Sequence, residues 1–154
     1  MKIVKVKKAF YDKCVIKGTA DELLFNESGR PCVLLIHMKY KNKLHQFIVP
    51  FRSNISDKTP NNQYFHLPPN KNTKKNHSHG LHYIKLFPIT DKYIDKYRIE
   101  GDSYWKMIQS IVDENEVEII NACKDYLQEC EKGNKHYMTP NIDGILSWLY
   151  EDDK

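Results

Sequence analysis

Two apolar stretches joined by a short polar turn limit the fold of this chain more than any other feature. Residues 32–38 form one run that is apolar apart from His37, and residues 44–51 form a return segment that is apolar from Phe47 to Phe51. Between them, Lys41, Asn42 and Lys43 suit a tight hairpin turn. The pattern predicts two antiparallel strands that are buried against a core.

Further strands are predicted on both sides of this hairpin. Residues 2–8 mix lysines with β-branched apolar residues, which is typical of a half-exposed edge strand. Residues 63–67 and residues 81–87 are two more short strand candidates, each followed by proline. Residues 9–16 fit either a short helix or an extension of the first strand. Residues 70–80 contain no apolar side chain, and we expect an exposed loop there.

After Gly101 the pattern predicts helices. Apolar residues recur at steps of three, four or seven along residues 105–130, with a break near residues 113–116 and Gly133 as the stop. Thr139 is the predicted N-cap of a short last helix. Because strands come before helices, the predicted class is α+β with a mostly antiparallel sheet, in a single domain over residues 1–154.

The composition is that of a globular chain, with 40% apolar and 29% charged residues. There is no apolar run of the roughly 18 residues that a membrane span needs, and the first residues lack the apolar stretch of a secretion signal. The four cysteines form no C-x-x-C pair, so we interpret them as free thiols in or near the core. We therefore expect a cytoplasmic protein.

The charges are divided between the two parts of the chain. Residues 1–99 contain 19 Lys and Arg against 7 Asp and Glu, whereas residues 100–154 contain 5 against 13. A basic region favours a polyanionic partner, because phosphates attract lysines and release counterions on binding. The acidic part could also pair with the basic part of the same chain. If a polyanion site is present, it should lie on the sheet.

Several common catalytic sites are absent from the sequence. There is no phosphate-binding G-x-x-x-x-G-K-[ST] loop and no G-x-S-x-G nucleophile motif. Six of the seven histidines lie between His37 and His82, but no acidic residue lies between Asp57 and Asp91. Because histidine-only metal sites in lysine-rich loops are uncommon, we expect no metal and no other cofactor.

The second hairpin strand ends in three polar residues, Arg52, Ser53 and Asn54. Arg30 precedes the first strand, and the two outer ends of an antiparallel hairpin lie side by side. Cleavage of RNA by its own 2′-hydroxyl needs a proton acceptor, a proton donor and cations that stabilise the charged transition state. The residue types for this chemistry are present in the basic half. The plainer interpretation is a solvated arginine before a proline and an ordinary turn.

The same segments resemble a known family of toxins. GRPCVLLI, followed about twenty residues later by VPFRSN, resembles the two motifs of the MazF/Kid toxin ribonucleases. The rest of the chain, including GLHYIKLFPI at residues 80–89 and the two C-terminal helices, resembles more specifically the ToxN/AbiQ toxins of type III toxin–antitoxin systems, and among them most the CptN branch. This resemblance implies a compact, highly twisted MazF/Kid-like sheet with a long helix and a short C-terminal helix packed on it.

The resemblance also implies an activity and partners. It implies a sequence-selective, metal-independent endoribonuclease that leaves a 2′,3′-cyclic phosphate and acts in phage defence. Its implied partners are cellular mRNA as substrate and a repetitive, pseudoknotted antitoxin RNA, which the toxin processes and which then inhibits it in a closed assembly of alternating protein and RNA.

By the same resemblance, Arg30, Arg52 and Ser53 are the expected catalytic residues. Ile55 stands where some members have a lysine, so Arg52, or else Lys58 or Lys85, would have to supply that cation. The proton acceptor is left unassigned, because arginine is a poor base at neutral pH. The further residues that we expect to contact RNA are Lys7, Lys8, Lys43, Asn54, Lys58, His66, Lys71, Lys74, Lys75, His82, Tyr83 and Lys85.

Two other classes of function explain the charge division as well. One is an RNA-binding module without catalysis, which does not need Arg30 beside Arg52 and Ser53. The other is an adaptor whose basic sheet binds an acidic protein. Salt-sensitive binding to RNA, and not to an acidic protein, would distinguish the adaptor from the other two.

Overall fold

A computed structural model describes residues 1–24 and 33–151. Within these residues, seven strands and four α-helices are connected by turns and three short 3₁₀ helices. The strands are β1 (Ile3–Val6), β2 (Val33–Tyr40), β3 (Lys43–Ser56), β4 (Tyr64–Leu67), β5 (His77–His82), β6 (Phe87–Pro88) and β7 (Ile94–Lys96). The helices are α1 (Lys8–Ile16), α2 (Ser103–Glu114), α3 (Glu116–Glu131) and α4 (Ile142–Leu149).

All strand pairs of the sheet are antiparallel, in the order β4-β5-β3-β2-β1-β7, with β6 added beside β3. The predicted α+β class with a mostly antiparallel sheet is confirmed. The prediction of an edge strand at the N-terminus is wrong. β1 pairs with β2 on one side and with β7 on the other. The prediction missed β7 because this strand has only three residues and a weak sequence pattern.

The predicted hairpin is confirmed as β2 and β3. Lys41 and Asn42 form its turn with φ angles of 50° and 67°, the left-handed geometry of the two-residue turns that match strand twist. β3 continues to Ser56, however, so Arg52, Ser53 and Asn54 lie inside the strand and not in a turn. The strand continues because β5 pairs with this part of β3.

The prediction of an exposed loop over residues 70–80 is wrong in its second half. His77–His82 form β5, which lies between β3 and β4, and His79 is only 1% exposed. Two flanking strands satisfy the backbone of this polar segment, so it needs no apolar pattern to form a strand. The predicted strand over residues 81–87 is instead the end of β5, a 3₁₀ turn over Tyr83–Lys85 and the two residues of β6.

The helices follow the predicted pattern closely. Asp102 caps α2 by accepting a hydrogen bond from the backbone N–H of Trp105, and the chain breaks at Asn115 before α3. Gly133 follows α3 with φ 85°. The prediction of Thr139 as the last N-cap is wrong, because Asn141 is the cap and accepts from the N–H of Gly144. The open alternative at residues 9–16 is resolved as helix α1.

Helices cover both faces of the sheet. Alternate residues of β3 point to opposite sides: Phe47 and Phe51 pack with α2 and α3, whereas Ile48 packs with α1 and α4. Cys14, Cys123 and Cys130 are buried free thiols, as expected, and Cys32 lies outside the described residues. In the described part of the chain, no helix has the length and apolar character that crossing a bilayer requires.

Candidate functional site

The polar segment of β3 contains a bulge. Arg52 pairs with Gly80 of β5, but the next recorded pair is Ile55 with Ser78, so β3 has one more residue than β5 in this interval. A bulge bends the strand and re-aims the side chains within it. Here those side chains are Ser53 and Asn54, both half-buried.

Arg52 contacts a buried histidine. Its Nη1 lies 3.4 Å from Nδ1 of His82, which is 2% exposed. Because a guanidinium only donates hydrogen bonds, Nδ1 must accept and the proton of the neutral ring lies on Nε2. Burial, followed by the charges of Arg52 and Lys85, lowers the pKa of His82 to about 4. The ring therefore stays neutral near pH 7 and holds Arg52 without adding charge.

A second histidine lies in the same row of the sheet. His66 of β4 pairs with Gly80, and Gly80 pairs with Arg52 on its other side, so the three residues form one row across three strands. Directly paired residues point to the same face. His66 and Arg52 are thus two strand spacings apart, about 10 Å between their Cα atoms.

Gly80 allows β4 and β5 to pack closely at this row. A Cβ added to it would lie 2.4 Å from the carbonyl oxygen of Phe65 and 2.9 Å from Cδ2 of Tyr64. The chain therefore requires glycine here for close packing, and the ring of Tyr64 occupies the space beside it.

His66 is exposed and held from two sides. Its ring lies 4.1 Å from the ring of Tyr64, centroid to centroid, and its Nε2 lies 3.1 Å from Oδ1 of Asn61. An amide oxygen only accepts, so Nε2 carries the proton and Nδ1 keeps a free lone pair. This orientation of the His66 ring leaves Nδ1 free to accept a proton.

The bulge also holds the lysine-rich loop between β4 and β5. Asn70 donates through Nδ2 to Oγ of Ser53 at 2.9 Å, which leaves the Ser53 hydroxyl proton available. Asn54 accepts from the backbone N–H of Lys74 at 2.8 Å and donates to the carbonyl of Asn72 at 3.1 Å. These bonds fix the loop that carries the exposed side chains of Lys71, Lys74 and Lys75 beside Ser53.

Three of the expected RNA contacts, His82, Tyr83 and Lys85, are buried. Lys85 is 3% exposed, and its Nζ donates to the carboxylate of Glu22 at 2.9 Å and to the backbone carbonyl of the same residue at 3.0 Å. Tyr83 is 4% exposed, and burial raises the pKa of its phenol. Lys85 is therefore bound within the fold, whereas the lysines of the loop beside Ser53 are exposed.

The other expected contacts are spread over the surface. Lys7 is half-buried with its Nζ 3.8 Å from Asp95, and the exposed Lys8 pairs with Asp12 at 3.2 Å. Lys58 is exposed just beyond β3. Lys43 begins β3, nine residues before Arg52, which corresponds to about 30 Å along an extended strand. Lys43 is thus remote from the row of Arg52 and His66.

Two further positions of the expected site are Arg30 and Ile55. Arg30 lies outside the described residues. Ile55, where the resemblance gives some members a lysine, is fully buried, and its Cδ1 would lie 3.3 Å from a Cβ on Gly80. An apolar side chain fits this position because it packs under the row, where a lysine would bury an unpaired charge.

Sequence reasoning did not identify the residues that position this site. Asn61 and Asn70 orient His66 and Ser53, and Gly80 closes the row between two strands. Their only signal in the sequence is the abundance of asparagine between the strands, which ordinarily indicates turns. Among the described residues, no group of three or more His, Cys, Asp or Glu side chains is arranged to hold a metal ion.

The arrangement combines the parts of a metal-free phosphoryl-transfer site. Arg52 can donate two hydrogen bonds to a phosphate, Ser53 can donate one, and His66 can accept a proton. The exposed loop beside Ser53 carries three lysines, which suits the backbone of a single-stranded nucleic acid.

Comparisons with known proteins show which solved structures share this fold. The sequence matches no protein-family profile and no curated protein. Among the solved structures that match, two cover nearly the whole chain. One is from a bacterial type III toxin–antitoxin system in which a non-coding RNA pseudoknot selectively inhibits the toxin; the TM-score is 0.67 at 14% identity, over 98% of this chain and 96% of that one.

The other is from a bacterial antiviral system regulated by a processed non-coding RNA, with a TM-score of 0.65 at 13% identity, over 99% of this chain and 98% of that one. The resemblance suggested by the sequence motifs is therefore confirmed for the fold. This chain has the same fold as the proteins in these two solved structures.

Proposed function

We propose that this chain is the toxin of a type III toxin–antitoxin system and a metal-independent, sequence-selective endoribonuclease. The observation that carries the proposal is the row of Arg52, Gly80 and His66 beside Ser53, on a sheet flanked by a lysine-rich loop. This site provides phosphate-binding cations and a proton acceptor within one face of the molecule. The shared fold of the two solved structures supports the biological setting.

Arg52 and Ser53 bind the phosphate that is cut. The guanidinium of Arg52 is held by His82 and donates to the non-bridging oxygens, where negative charge increases in the transition state. The hydroxyl of Ser53 accepts from Asn70 and donates its proton to the phosphate or the attacking oxygen. Arg30 is proposed as a second cation at the same phosphate.

His66 accepts the proton of the 2′-hydroxyl through Nδ1, which no described group occupies. The 2′-oxygen then forms a bond to phosphorus, and the bond from phosphorus to the 5′-oxygen breaks. The 5′-oxygen takes a proton from water, and His66 later returns its proton to solvent. The products are a 2′,3′-cyclic phosphate and a free 5′-hydroxyl.

The proposed partners are a repetitive, pseudoknotted antitoxin RNA and cellular mRNA. The antitoxin is processed by the same site and then blocks it, in a closed cytoplasmic assembly of alternating protein and RNA that acts against phage. The exposed lysines at positions 71, 74 and 75, with Lys7, Lys8, Lys43, Lys58 and Asn54, are proposed to contact these RNAs. Inhibition by a pseudoknot and regulation of an antiviral system in the two solved structures support this assignment.

The test uses purified protein, a mixed single-stranded RNA and excess EDTA, with analysis of the fragment ends. We expect discrete fragments with cyclic phosphate ends from the wild-type protein, and about 100- to 1000-fold slower cleavage by Ser53→Ala with nearly unchanged RNA binding. Ser110→Ala, an exposed serine on α2, is the matched control and should cleave normally.

RNA that stays intact but shifts in a gel, with protein freed of bound RNA, would favour a binding module without catalysis. Wild-type cleavage by Ser53→Ala would remove Ser53 from the reaction.

A further inference from the structure

The turn between α3 and α4 presents a pair of stacked aromatic rings to solvent. Tyr137 is 81% exposed, and no other aromatic side chain in the described part of the chain is as exposed. One face of its ring lies against the ring of His136, with centroids 4.6 Å apart and the planes 27° from parallel. The other face of Tyr137 is therefore open to a further flat ring.

The His136 ring that supports Tyr137 is fixed by hydrogen bonds. Its Nδ1 accepts from the backbone N–H of Met138 at 3.1 Å. The backbone N–H of His136 donates to the hydroxyl of Tyr126 at 3.0 Å, and its carbonyl accepts from the N–H of Thr139 at 3.0 Å. The ring pair is thus ordered before any ligand binds, and a preorganised surface loses less conformational entropy on binding.

The turn is free of acidic residues, although it lies in the acidic part of the chain. No Asp or Glu occurs from residue 132 to residue 142. Of the carboxylates beside it, Glu129 pairs with Lys132 at 3.4 Å, and Asp143 pairs with Lys41 at 3.0 Å. A polyanion can therefore approach the exposed ring without meeting a carboxylate of the turn itself.

Contacts connect this turn to Arg52. Tyr126, which holds the backbone of His136, faces the same hollow between β4 and α3 as Tyr64. Tyr64 pairs with His82 across β4 and β5, and His82 contacts Arg52. Burial and the charge of Arg52 lower the pKa of His82 most, and the charge of His136 adds to the effect. The turn therefore lies close enough to His82 for an RNA strand at Arg52 to continue to it.

We infer that Tyr137 and His136 form a stacking platform for one unpaired base of the RNA whose phosphate is bound at Arg52. The base stacks on the open face of Tyr137. Every base has an aromatic face, so the platform adds affinity without selecting the sequence. A base inside a duplex is covered by its neighbours on both sides, so the platform favours single-stranded RNA. The inference rests on the proposed RNA substrate and adds a second point of attachment for it.

The test measures binding without cleavage. A short, labelled 2′-O-methyl RNA of defined sequence lacks the attacking hydroxyl, and its affinity for the full-length protein, freed of bound RNA, is measured by fluorescence anisotropy. Tyr137→Ala should bind about tenfold more weakly than wild type, and Tyr137→Phe, which keeps the ring, should bind within about twofold of wild type. Val117→Ala, at a position of α3 that is 74% exposed, is the control and should bind as wild type does.

A second oligonucleotide shows whether the lost affinity comes from a base. It has the same length and the same phosphates, but every base is removed. Wild type and Tyr137→Ala should bind it equally, because only a base can stack on the ring. A difference of about tenfold that persists without bases would show that Tyr137 acts in another way and would overturn the inference.

The remaining outcomes separate this inference from the ribonuclease proposal. Equal binding of the complete oligonucleotide by wild type and Tyr137→Ala would overturn the platform and leave the ribonuclease proposal standing. Base-dependent binding through Tyr137, in a protein that cleaves no RNA, would retain the platform and reject the ribonuclease. An oligonucleotide that does not bind the wild-type protein at all would overturn both.

Discussion

Arg52 donates from Nη1 to Nδ1 of His82, at 3.4 Å, across the pairing of β3 with β5. The histidine is buried, and its Nε2 is one of two buried side-chain polar atoms without a partner among the described residues. A protonated His82 would lose its ability to accept from Arg52 and would place a second positive charge beside it. The folded protein therefore depends on a neutral ring at this position.

The stability of the protein should fall as the pH decreases through the mildly acidic range. The ordinary histidine pKa is 6.5, and folding lowers that of His82 to about 4, so the unfolded chain binds more protons between these values. The stabilisation is complete above pH 6.5 and is lost towards pH 4. Urea unfolding should show up to about 3 kcal/mol less stability at pH 4 than at pH 7.5 from this residue.

His82→Asn removes this proton-binding group. The variant should be less stable than wild type at pH 7.5, and the decrease in its free energy of unfolding towards pH 4 should be smaller. His37→Asn, at an exposed position of β2, is the control and should keep the wild-type decrease. A His82→Asn decrease as large as that of wild type would contradict this account.

The role of His66 should be visible in the rate of cleavage. Glutamine in its place can still donate a hydrogen bond to Asn61 but cannot accept the proton of the 2′-hydroxyl, so His66→Gln should cleave at least 100-fold more slowly. RNA binding by the variant should change by less than threefold. A wild-type rate of cleavage by His66→Gln would assign the proton acceptor to another group.

Gly80→Ala should separate β4 from β5. The new Cβ would lie 2.4 Å from the carbonyl oxygen of Phe65, which is backbone and cannot rotate away. We expect a loss of about 3 kcal/mol in urea unfolding. Gly18→Ala is the matched control: Gly18 has φ 68° but nothing within 4 Å, so only backbone strain of about 1 kcal/mol applies. Equal losses in the two variants would rule out close packing as the reason for glycine at position 80.

The lysine loop should account for part of the salt dependence of RNA binding. Replacing Lys71, Lys74 and Lys75 by glutamine together should reduce the slope of log affinity against log salt by about 2. The control replaces Lys106, Lys124 and Lys135, which are exposed on the acidic helical part of the chain. If both triple variants reduce the slope equally, the loop has no special place in the interface.

The local elements of this protein could be predicted from sequence patterns alone. The β2–β3 hairpin, the apolar face of α2 and α3 and the break between these helices were predicted from periodicity and turn chemistry, because each depends on residues close together in the chain. The division of charge likewise indicated a basic sheet and acidic helices. The segment of Arg52, Ser53 and Asn54 was recognised from its polar residues, but it was expected at the end of a strand.

The residues that meet at the candidate site are brought together by strand pairing between distant segments, which the sequence patterns did not predict. The polar segment His77–His82 becomes a strand because β3 and β4 offer hydrogen bonds on both sides, and this pairing brings His82 to Arg52 and His66 into the same row. Folding likewise buries Lys85 against Glu22, although these two residues are 63 positions apart in the sequence. Contacts between residues distant in sequence arise from strand pairing and packing, which no local pattern in a single sequence records.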